Sequence, residues 1–160
     1  MRLSLSFVRG LGWAMFVVLS VIAAIHVYWG LGGLWPADST RELIDTVVGD
    51  TRMTRMPPAW LTLTVAALIF AAGWIALERA RIVSRLPGWM VGLGVWVLFA
   101  IFALRGLSTY LFVTGLRTLP DTAAQAFVAN DIRVYAPLCL LLAMGFLILA
   151  LQKGGSPRQA

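Results

Sequence analysis

Four apolar runs, each close to the length that crosses a membrane, constrain this chain more than any other feature of its sequence. They cover residues 11–31, 59–77, 88–108 and 135–151. An α-helix rises ~1.5 Å per residue, so about 20 residues cross a hydrocarbon core of ~30 Å. The mean hydropathy of +0.85 and the 12% of charged residues suit that environment. We predict an all-α polytopic membrane protein, a four-transmembrane-helix bundle forming a single domain over residues 1–160.

A secretory signal sequence is an alternative interpretation of the first run. Arg2 and Arg9 precede the run, and Ala23 and Ala24 resemble a cleavage site. The run is longer than the apolar part of a usual signal, however, and aromatic residues continue beyond the supposed cut. A membrane span is therefore the better interpretation.

The charges of the loops predict the orientation of the bundle. The N-terminus, the 78–85 connection and the C-terminus hold seven Arg or Lys residues and one Glu, whereas the other two loops hold five Arg and six acidic residues. The positive-inside rule then places both termini in the cytoplasm. Trp and Tyr residues near the ends of the runs agree, since both favour the interfaces. The basic charge indicates contact with membrane lipids, not nucleic acid.

The two loops on the predicted outer side each contain the pattern of a short interfacial helix. Ser39–Glu42 fits a capping box, and Gly49 suits the stop of the helix that follows it. In the other loop, Thr118–Asp121 predicts the start of a second short helix, with Pro120 in its first turn, and Asn130 predicts the end of that helix.

The connection between the second and third runs is short. It predicts that these two spans are antiparallel neighbours. Gly88 and Gly92, at the start of the third run, predict a close-packing surface between them.

Two ionisable residues, His26 and Arg105, lie inside predicted spans, where such groups are costly and are therefore candidates for function. At ~1.5 Å per residue, His26 lies about 22 Å from the start of its run and Arg105 about 26 Å, so both fall in the outer third of the bilayer. Asp131 and Tyr135 are four residues apart and share a helix face, with Cys139 one turn further.

These residues predict an outward-facing polar and aromatic pocket at one level of the bundle. On the first span, His26 is followed by Gly30 and Gly33 at the i+4 and i+7 positions, which predicts free space beside the histidine. The candidate ligand-binding residues are His26, Tyr28, Trp29, Arg105, Asp131 and Tyr135. The candidate structural residues are Gly30, Gly32, Gly33, Pro137 and Cys139.

Each candidate also has a purely structural interpretation. Arg105 either forms a salt bridge with Asp131 or extends to the interface. His26 is alternatively an interhelical hydrogen-bonding group, and the aromatic residues are anchors at the interface. Cys139 is interpreted as a small buried apolar residue. A single cysteine and a single histidine offer no metal-ligand spacing, so we predict neither a metal nor a cofactor.

Three segments carry a resemblance to a known family. They are residues 24–36 (AIHVYWGLGGLWP), Phe102–Arg105, and Asp131 with Tyr135–Leu142. In this order they resemble the bacterial integral membrane family catalogued as domain of unknown function 3995, over nearly the whole chain. The resemblance implies a small four-helix membrane protein without an established activity, located in the inner (plasma) membrane of a bacterium. The positions that match the family's motifs are His26, Tyr28, Trp29, Gly32, Gly33, Arg105, Asp131, Tyr135, Pro137 and Cys139.

One segment departs from the family's pattern. Such proteins usually carry a Gly-Asp-Phe-like sequence shortly after the arginine, whereas Gly106–Tyr110 reads GLSTY here. An acid that could pair with Arg105 within the same helix is missing. The departure favours Asp131 as the partner of Arg105.

Three functions remain open at this point. The first is binding of a small amphiphilic or anionic molecule. Transport of such a molecule is less favoured, because no charged residue lies deep in the inner half of a span and no carboxylate lies mid-span. The second is an enzyme acting on a hydrophobic substrate, with His26 as acid or base and Arg105 stabilising negative charge, which no catalytic motif supports. The third is a structural or accessory subunit. We favour binding over catalysis, and the oligomeric state is open.

Overall fold

A computed structural model describes residues 3–114 and 124–152, and this part of the chain contains helices and no strands. Four elements are long: α1 (Leu5–Gly30), α3 (Ala59–Arg79), α4 (Gly88–Val113) and α6 (Ala136–Leu151). The short elements are α2 (Thr40–Leu43) and α5 (Gln125–Asn130), each followed by a π-helix, π1 (Ile44–Val48) and π2 (Asp131–Tyr135).

Four helical stretches are long and apolar enough to cross a membrane, which confirms the predicted fold class. They are Leu5–Gly30, Ala59–Arg79, Gly88–Leu111 and Gln125–Leu151. The last one runs without a break through α5, π2 and α6. The chain is therefore a multi-pass membrane protein.

The antiparallel course of the spans gives the bundle two unlike ends. The terminal end holds the start of α1, the α3–α4 connection and the end of α6. There the Arg79 guanidinium donates hydrogen bonds to the carbonyls of Ala150 and Gln152, so it joins α3 to the last turn of α6. The long-loop end holds the 31–58 loop and the start of the fourth span. There the Ala124 N–H donates to the Gly49 carbonyl at 3.0 Å.

The helices associate as two pairs, α1 with α3 and α4 with α6. Small residues allow close approach: a Cβ on Gly12 would lie 2.5 Å from the Cβ of Ala80 at the α1–α3 contact. Between the pairs, where α6 meets α1, a Cβ on Gly145 would lie 2.7 Å from the Met15 sulfur. A continuous apolar core joins all four helices, and it lies in the half of the bundle next to the terminal end. Its buried members are Val8, Met15, Leu19, Ala72, Ala76, Ala80, Val91, Val95, Leu142, Phe146 and Leu149.

The predicted packing surface of Gly88 and Gly92 is wrong. A Cβ on either residue would meet nothing within 4 Å, so both glycines face away from the bundle. Gly94 makes the α3–α4 contact instead, because a Cβ on Gly94 would lie 3.5 Å from side-chain atoms of Ile75. Sequence spacing identified the small residues but not the helix face that packs.

The capping box in the first long loop is confirmed, with one variation. The Ser39 hydroxyl accepts from the Glu42 N–H at 3.2 Å, and the Glu42 carboxylate accepts from the Asp38 N–H at 3.0 Å, one residue before the usual partner. Gly49 ends π1 with a left-handed φ of 81°, as its position predicted.

α5 ends at Asn130, as predicted, but it is not a separate loop helix. The backbone N–H of Asp131 donates to Phe127 and Val128, and the helix continues into π2 and α6. The predicted start at Thr118–Asp121 lies outside the described residues. The third span also extends beyond residue 108, to Val113.

Candidate functional site

The end of α1 is a Schellman motif built on Gly32. Gly32 adopts a φ of 93°, a conformation that favours glycine, and its N–H donates to the Trp29 carbonyl at 3.0 Å. The N–H of Gly33 donates to the Tyr28 carbonyl at 2.9 Å. Both bonds satisfy carbonyls that the end of a helix would leave unpaired. The glycines after Trp29 therefore end the first span in a defined turn.

Three aromatic residues close this turn into a compact unit. The indole N–H of Trp29 donates to the Trp35 carbonyl at 2.7 Å, and the Trp35 N–H donates to the Tyr28 hydroxyl at 3.4 Å. Gly33 lies against the Tyr28 ring so closely that a Cβ there would overlap it. We call Tyr28, Trp29, Gly32, Gly33 and Trp35 the α1-turn cluster.

The prediction that glycines open space beside His26 is wrong. Gly33 lies beyond the end of α1, so it is not on the helix face of the histidine. Gly30 is the last residue of α1, and a Cβ there would lie 3.2 Å from a methyl carbon of Leu63 on α3. The two glycines serve the turn and the α1–α3 contact.

His26 is half-buried and bonds within its own helix. Its Nδ1 lies 2.8 Å from the Ile22 carbonyl oxygen, and since a carbonyl only accepts, Nδ1 donates the proton. In the neutral ring Nε2 is then an acceptor, and it has no hydrogen-bond partner among the described residues. The imidazole ring lies 5.2 Å from the Trp29 ring, which links it to the α1-turn cluster.

Arg105 and Asp131 form the ion pair that the sequence suggested. Arg105 Nη2 lies 2.6 Å from Asp131 Oδ1, and Nη1 lies 3.3 Å from Oδ2. The Thr109 hydroxyl donates to Oδ2 at 2.6 Å and accepts from Arg105 Nη1 at 3.1 Å. These three residues, the ion-pair cluster, join α4 to π2.

The two charges of this pair differ in exposure. The Asp131 side chain is 9% exposed, whereas the Arg105 side chain is 39% exposed. An arginine has five N–H donors, and three of them contact Thr109 and Asp131. The Nε–H and one Nη2–H have no partner in the described part of the chain. The cluster therefore buries its anion and leaves part of its cation available.

Local sequence explains how Asp131 reaches this position. Pro137 lies in the first turn of α6 and has no N–H, so the α-helical bond to the carbonyl four residues earlier cannot form. The helix widens to π2, in which the Ala136 N–H donates to the Asp131 carbonyl five residues earlier. On α4, Gly106 permits a close approach, because a Cβ there would lie 2.7 Å from Leu140 and 3.1 Å from the Ala136 carbonyl.

Tyr135 bonds toward the loop and not toward the ion pair. Its hydroxyl donates to the Thr46 carbonyl of π1 at 3.5 Å, and its ring lies 6.1 Å from that of Phe127. A Cβ on Gly49 would overlap Phe127, so π1 packs closely on α5. Cys139, one turn further along α6, is a half-buried free thiol.

Four of the six predicted pocket residues belong to the two clusters at the long-loop end, while His26 lies beside the α1-turn cluster and Tyr135 contacts π1 and α5. Arg105 and Asp131 are in direct contact, while Tyr28 and Trp29 belong to the α1-turn cluster. Within residues 3–114 and 124–152, no hydrogen bond, ion pair or ring contact joins His26 to Arg105, Asp131 or Tyr135. In the same part of the chain, α1 and α4 do not pack against each other. The role of these residues in ligand binding remains a prediction.

Sequence reasoning missed three buried polar residues, Thr62, Thr109 and Glu78. Thr109 lies four residues after Arg105, and this spacing on a helix was the available signal. Glu78 is buried at the terminal end, where its carboxylate accepts from the Trp74 indole at 3.2 Å and from the Arg85 N–H at 3.0 Å. It holds the α3–α4 connection, so it is a structural residue and not a loop charge.

The described residues contain no group of three His, Cys, Asp or Glu side chains that could hold a metal ion. The chemistry that the site offers is hydrogen bonding and charge from Arg105, an acceptor nitrogen on His26, and aromatic surface.

Comparison with known proteins identifies a family but no characterised relative. No curated protein and no solved structure matches the chain. Residues 16–146 match the family described as "Protein of unknown function (DUF3995)". This match covers most of the chain, and it includes α1 from Phe16, both clusters and α6 to Phe146. The chain belongs to the DUF3995 family.

Proposed function

We propose that this membrane protein binds a small amphiphile at the long-loop end, with the polar head of the ligand at the ion-pair cluster. The apolar part would lie along α4, where Ile101 precedes Arg105 by one turn and is exposed, and where Leu104 is 70% exposed. An amphiphile is the ligand class that satisfies a partly exposed charge surrounded by apolar surface.

The exposure of Arg105 is the observation that carries this proposal. A salt bridge that serves stability alone gains most when every donor is paired, because an unpaired N–H in the hydrocarbon region costs several kcal/mol. Asp131 is fully paired and buried, whereas Arg105 keeps two unpaired donors within the described residues. These donors favour a partner from outside the four helices.

His26 supports the same end of the bundle as the binding region. Its Nε2 is free to accept a hydrogen bond within the described structure, and Trp29 offers a ring surface beside it. Contact of a ligand with both clusters would place it between the two helix pairs. We propose His26 as a second polar contact for the ligand.

Catalysis is less well supported than binding. A histidine that acts as acid or base usually needs a group that orients it, and a carboxylate is the common choice. His26 is oriented by a backbone carbonyl, and no described carboxylate contacts it. A structural role for the ion pair is the remaining alternative, and the test below separates it from binding.

The test uses native mass spectrometry of the full chain in dodecyl maltoside micelles, with dodecanol and dodecanoate as probes. The proposal predicts one saturable adduct per protein for at least one probe, and its loss in the double variant Arg105→Gln/Asp131→Asn. This variant removes both charges together and keeps polar side chains at both positions; asparagine matches aspartate in shape, whereas glutamine is shorter than arginine. The change Arg133→Gln is the matched control, since Arg133 is an exposed arginine on π2.

The outcomes separate binding from structure. If the double variant keeps its thermal stability and loses the adduct, the pair serves the ligand. If neither probe forms a saturable adduct, the proposed function is wrong. If the double variant loses stability when no probe is present and wild type binds neither probe, the pair is structural.

We further propose that both termini lie in the cytoplasm and that the membrane is the bacterial inner membrane. The charge difference between the two sides supports this orientation. With Cys139 replaced by alanine, single cysteines at Ser39 and Ser84 would be labelled in intact cells by an impermeant maleimide. Only the Ser39 position should react, and reaction at Ser84 would contradict the orientation.

A further inference from the structure

We infer that the head group held by Arg105 is a singly charged oxyanion that offers two oxygens, a carboxylate or a phosphodiester. This inference rests on the proposed function and specifies the chemistry of its ligand. It is based on which edge of the Arg105 guanidinium has no hydrogen-bond partner among the described residues.

A guanidinium can be approached along its end, through Nη1 and Nη2, or along its side, through Nε and Nη2. Asp131 occupies the end, because its two oxygens contact Nη1 and Nη2. Thr109 takes the remaining N–H of Nη1. What is left is the side edge, where the Nε–H and the second Nη2–H point in the same direction and are unpaired within the described chain.

Two parallel N–H donors select the shape of their acceptor. Carboxylates and phosphate groups present two oxygens with matching spacing, and arginine binds both in this bidentate manner. A hydroxyl or a sugar head group offers single oxygens and fills one donor at a time. The open side edge therefore favours an oxyanion over a neutral head.

The charge of Asp131 limits the charge of the ligand. Asp131 already neutralises Arg105, and the two carboxylate oxygens lie 2.6 and 3.3 Å from the guanidinium nitrogens. A second negative charge on the ligand would be repelled by this carboxylate in a region of low dielectric constant. A monoanion keeps the charge-assisted hydrogen bonds with the least repulsion.

Apolar neighbours distinguish a lipid-like source from a soluble anion. Leu104 and Leu107 beside Arg105 are both exposed, so a chain attached to the head group has a surface to follow. A free anion gains nothing from this surface. The ligand class is thus an amphiphile with a carboxylate or phosphodiester head.

The experiment compares amphiphiles that differ only in the head group. Dodecanoate is matched with dodecanol, and dioctanoyl phosphatidylglycerol with dioctanoylglycerol, on the full chain in dodecyl maltoside. Dissociation constants come from native mass spectrometry. We expect each oxyanion to bind at least about 10-fold more tightly than its neutral match, as expected for charge-assisted hydrogen bonds. Acetate and glycerophosphoglycerol test the head group without a chain, and we expect them not to bind measurably.

The variant Arg105→Lys tests whether the two parallel N–H donors of the guanidinium are needed. Lysine keeps the positive charge beside Asp131 but lacks two parallel donors. The preference for dodecanoate over dodecanol should fall from about 10-fold to about 3-fold or less. The matched change Arg133→Lys should leave the preference as in wild type.

Each outcome supports or overturns the inference. Equal binding of dodecanol and dodecanoate by wild type would overturn it, while the proposed function would stand. Strong binding of acetate or glycerophosphoglycerol would overturn the claim that the ligand needs an apolar chain. An unchanged preference for dodecanoate in Arg105→Lys would overturn the claim that two parallel N–H donors select the head group. Absence of all adducts would reject the proposed function as well. If Arg105→Lys does not fold, the wild-type comparison of matched probes still decides.

Discussion

The two halves of this bundle are built on different principles. The half at the terminal end has a continuous apolar core from all four long helices, with Phe102 and Phe146 stacked at a centroid distance of 5.7 Å. The half at the long-loop end is joined by the Arg105–Asp131 pair and by the contact of π1 with α5 and π2. Because the first half holds the helices together, the second can keep partly unpaired polar groups.

The difference between the halves also appears in how each polar residue is used. At the terminal end, the Glu78 carboxylate is buried and accepts from the Arg85 backbone N–H and the Trp74 indole. At the long-loop end, Arg105 remains 39% exposed. We expect stability to depend mainly on the first half and ligand binding on the second.

The largest loss of stability is expected for Phe146→Ala in the terminal half. The Phe146 side chain is 0% exposed, and its removal leaves a cavity that costs about 3 kcal/mol. Thermal unfolding in dodecyl maltoside measures this loss, and dodecanoate binding to the folded variant should be unchanged. Leu141→Ala is the control, because Leu141 is 72% exposed and should change stability by less than about 0.5 kcal/mol. Equal losses for both variants would contradict the apolar core.

The next largest loss is expected for Asp131→Ala, which leaves Arg105 without its counter-charge. We expect about 2–3 kcal/mol by thermal unfolding, a smaller effect than for a fully buried pair because Arg105 is partly exposed. Asp45→Ala is the control, since the Arg41–Asp45 pair is more exposed, at 51% and 30%, and contributes at most about 1 kcal/mol. Recovery of stability in Arg105→Gln/Asp131→Asn would show that the unpaired charge causes the loss. A loss of stability no greater than that of Asp45→Ala would contradict the stabilising role of the Arg105–Asp131 pair.

A smaller effect is expected for Thr109→Val. Valine keeps the shape but removes the hydroxyl that lies between Arg105 and Asp131, so two hydrogen bonds are lost at about 1 kcal/mol in total. Thr64→Val is the control, because the Thr64 hydroxyl only donates to the Trp60 carbonyl of its own helix. Dodecanoate affinity should also fall in Thr109→Val, since Arg105 loses a positioning contact. An unchanged affinity would restrict Thr109 to a structural role.

The smallest effect is expected for Tyr135→Phe, which tests the contact between π1 and π2. The bond from the Tyr135 hydroxyl to the Thr46 carbonyl is long, at 3.5 Å, so its loss should cost about 0.5 kcal/mol or less. Tyr110→Phe is the control, since the Tyr110 hydroxyl has no partner in the described residues. A loss above about 1 kcal/mol would mean that this contact stabilises the long-loop half more than its length suggests.

Several features of the fold and site were predictable because they depend on short-range patterns. Span length follows from apolar runs, and the Ser39–Glu42 cap follows from residues three apart. The Arg105–Asp131 pair was predictable because an intramembrane charge needs a partner and its own helix supplies no acid.

Other features were not predictable because they depend on which helix faces meet. The i+7 spacing of Gly33 assumed that α1 continues, whereas the Schellman turn at Gly32 ends it. Gly88 and Gly92 have the spacing of a packing surface but face away from the bundle. His26 and Arg105 were predicted at similar depth, yet similar depth alone does not make α1 and α4 neighbours.

The sequence by itself determined that this protein crosses a membrane four times and that Arg105 requires a counter-charge, because both follow from the cost of placing polar groups in hydrocarbon. Only the tertiary structure decided that Asp131 occupies the end of the guanidinium and leaves its side edge open. That arrangement depends on π2 before Pro137 and on the close approach at Gly106. Such positions arise from the packing of two helices, and one helix alone does not specify them.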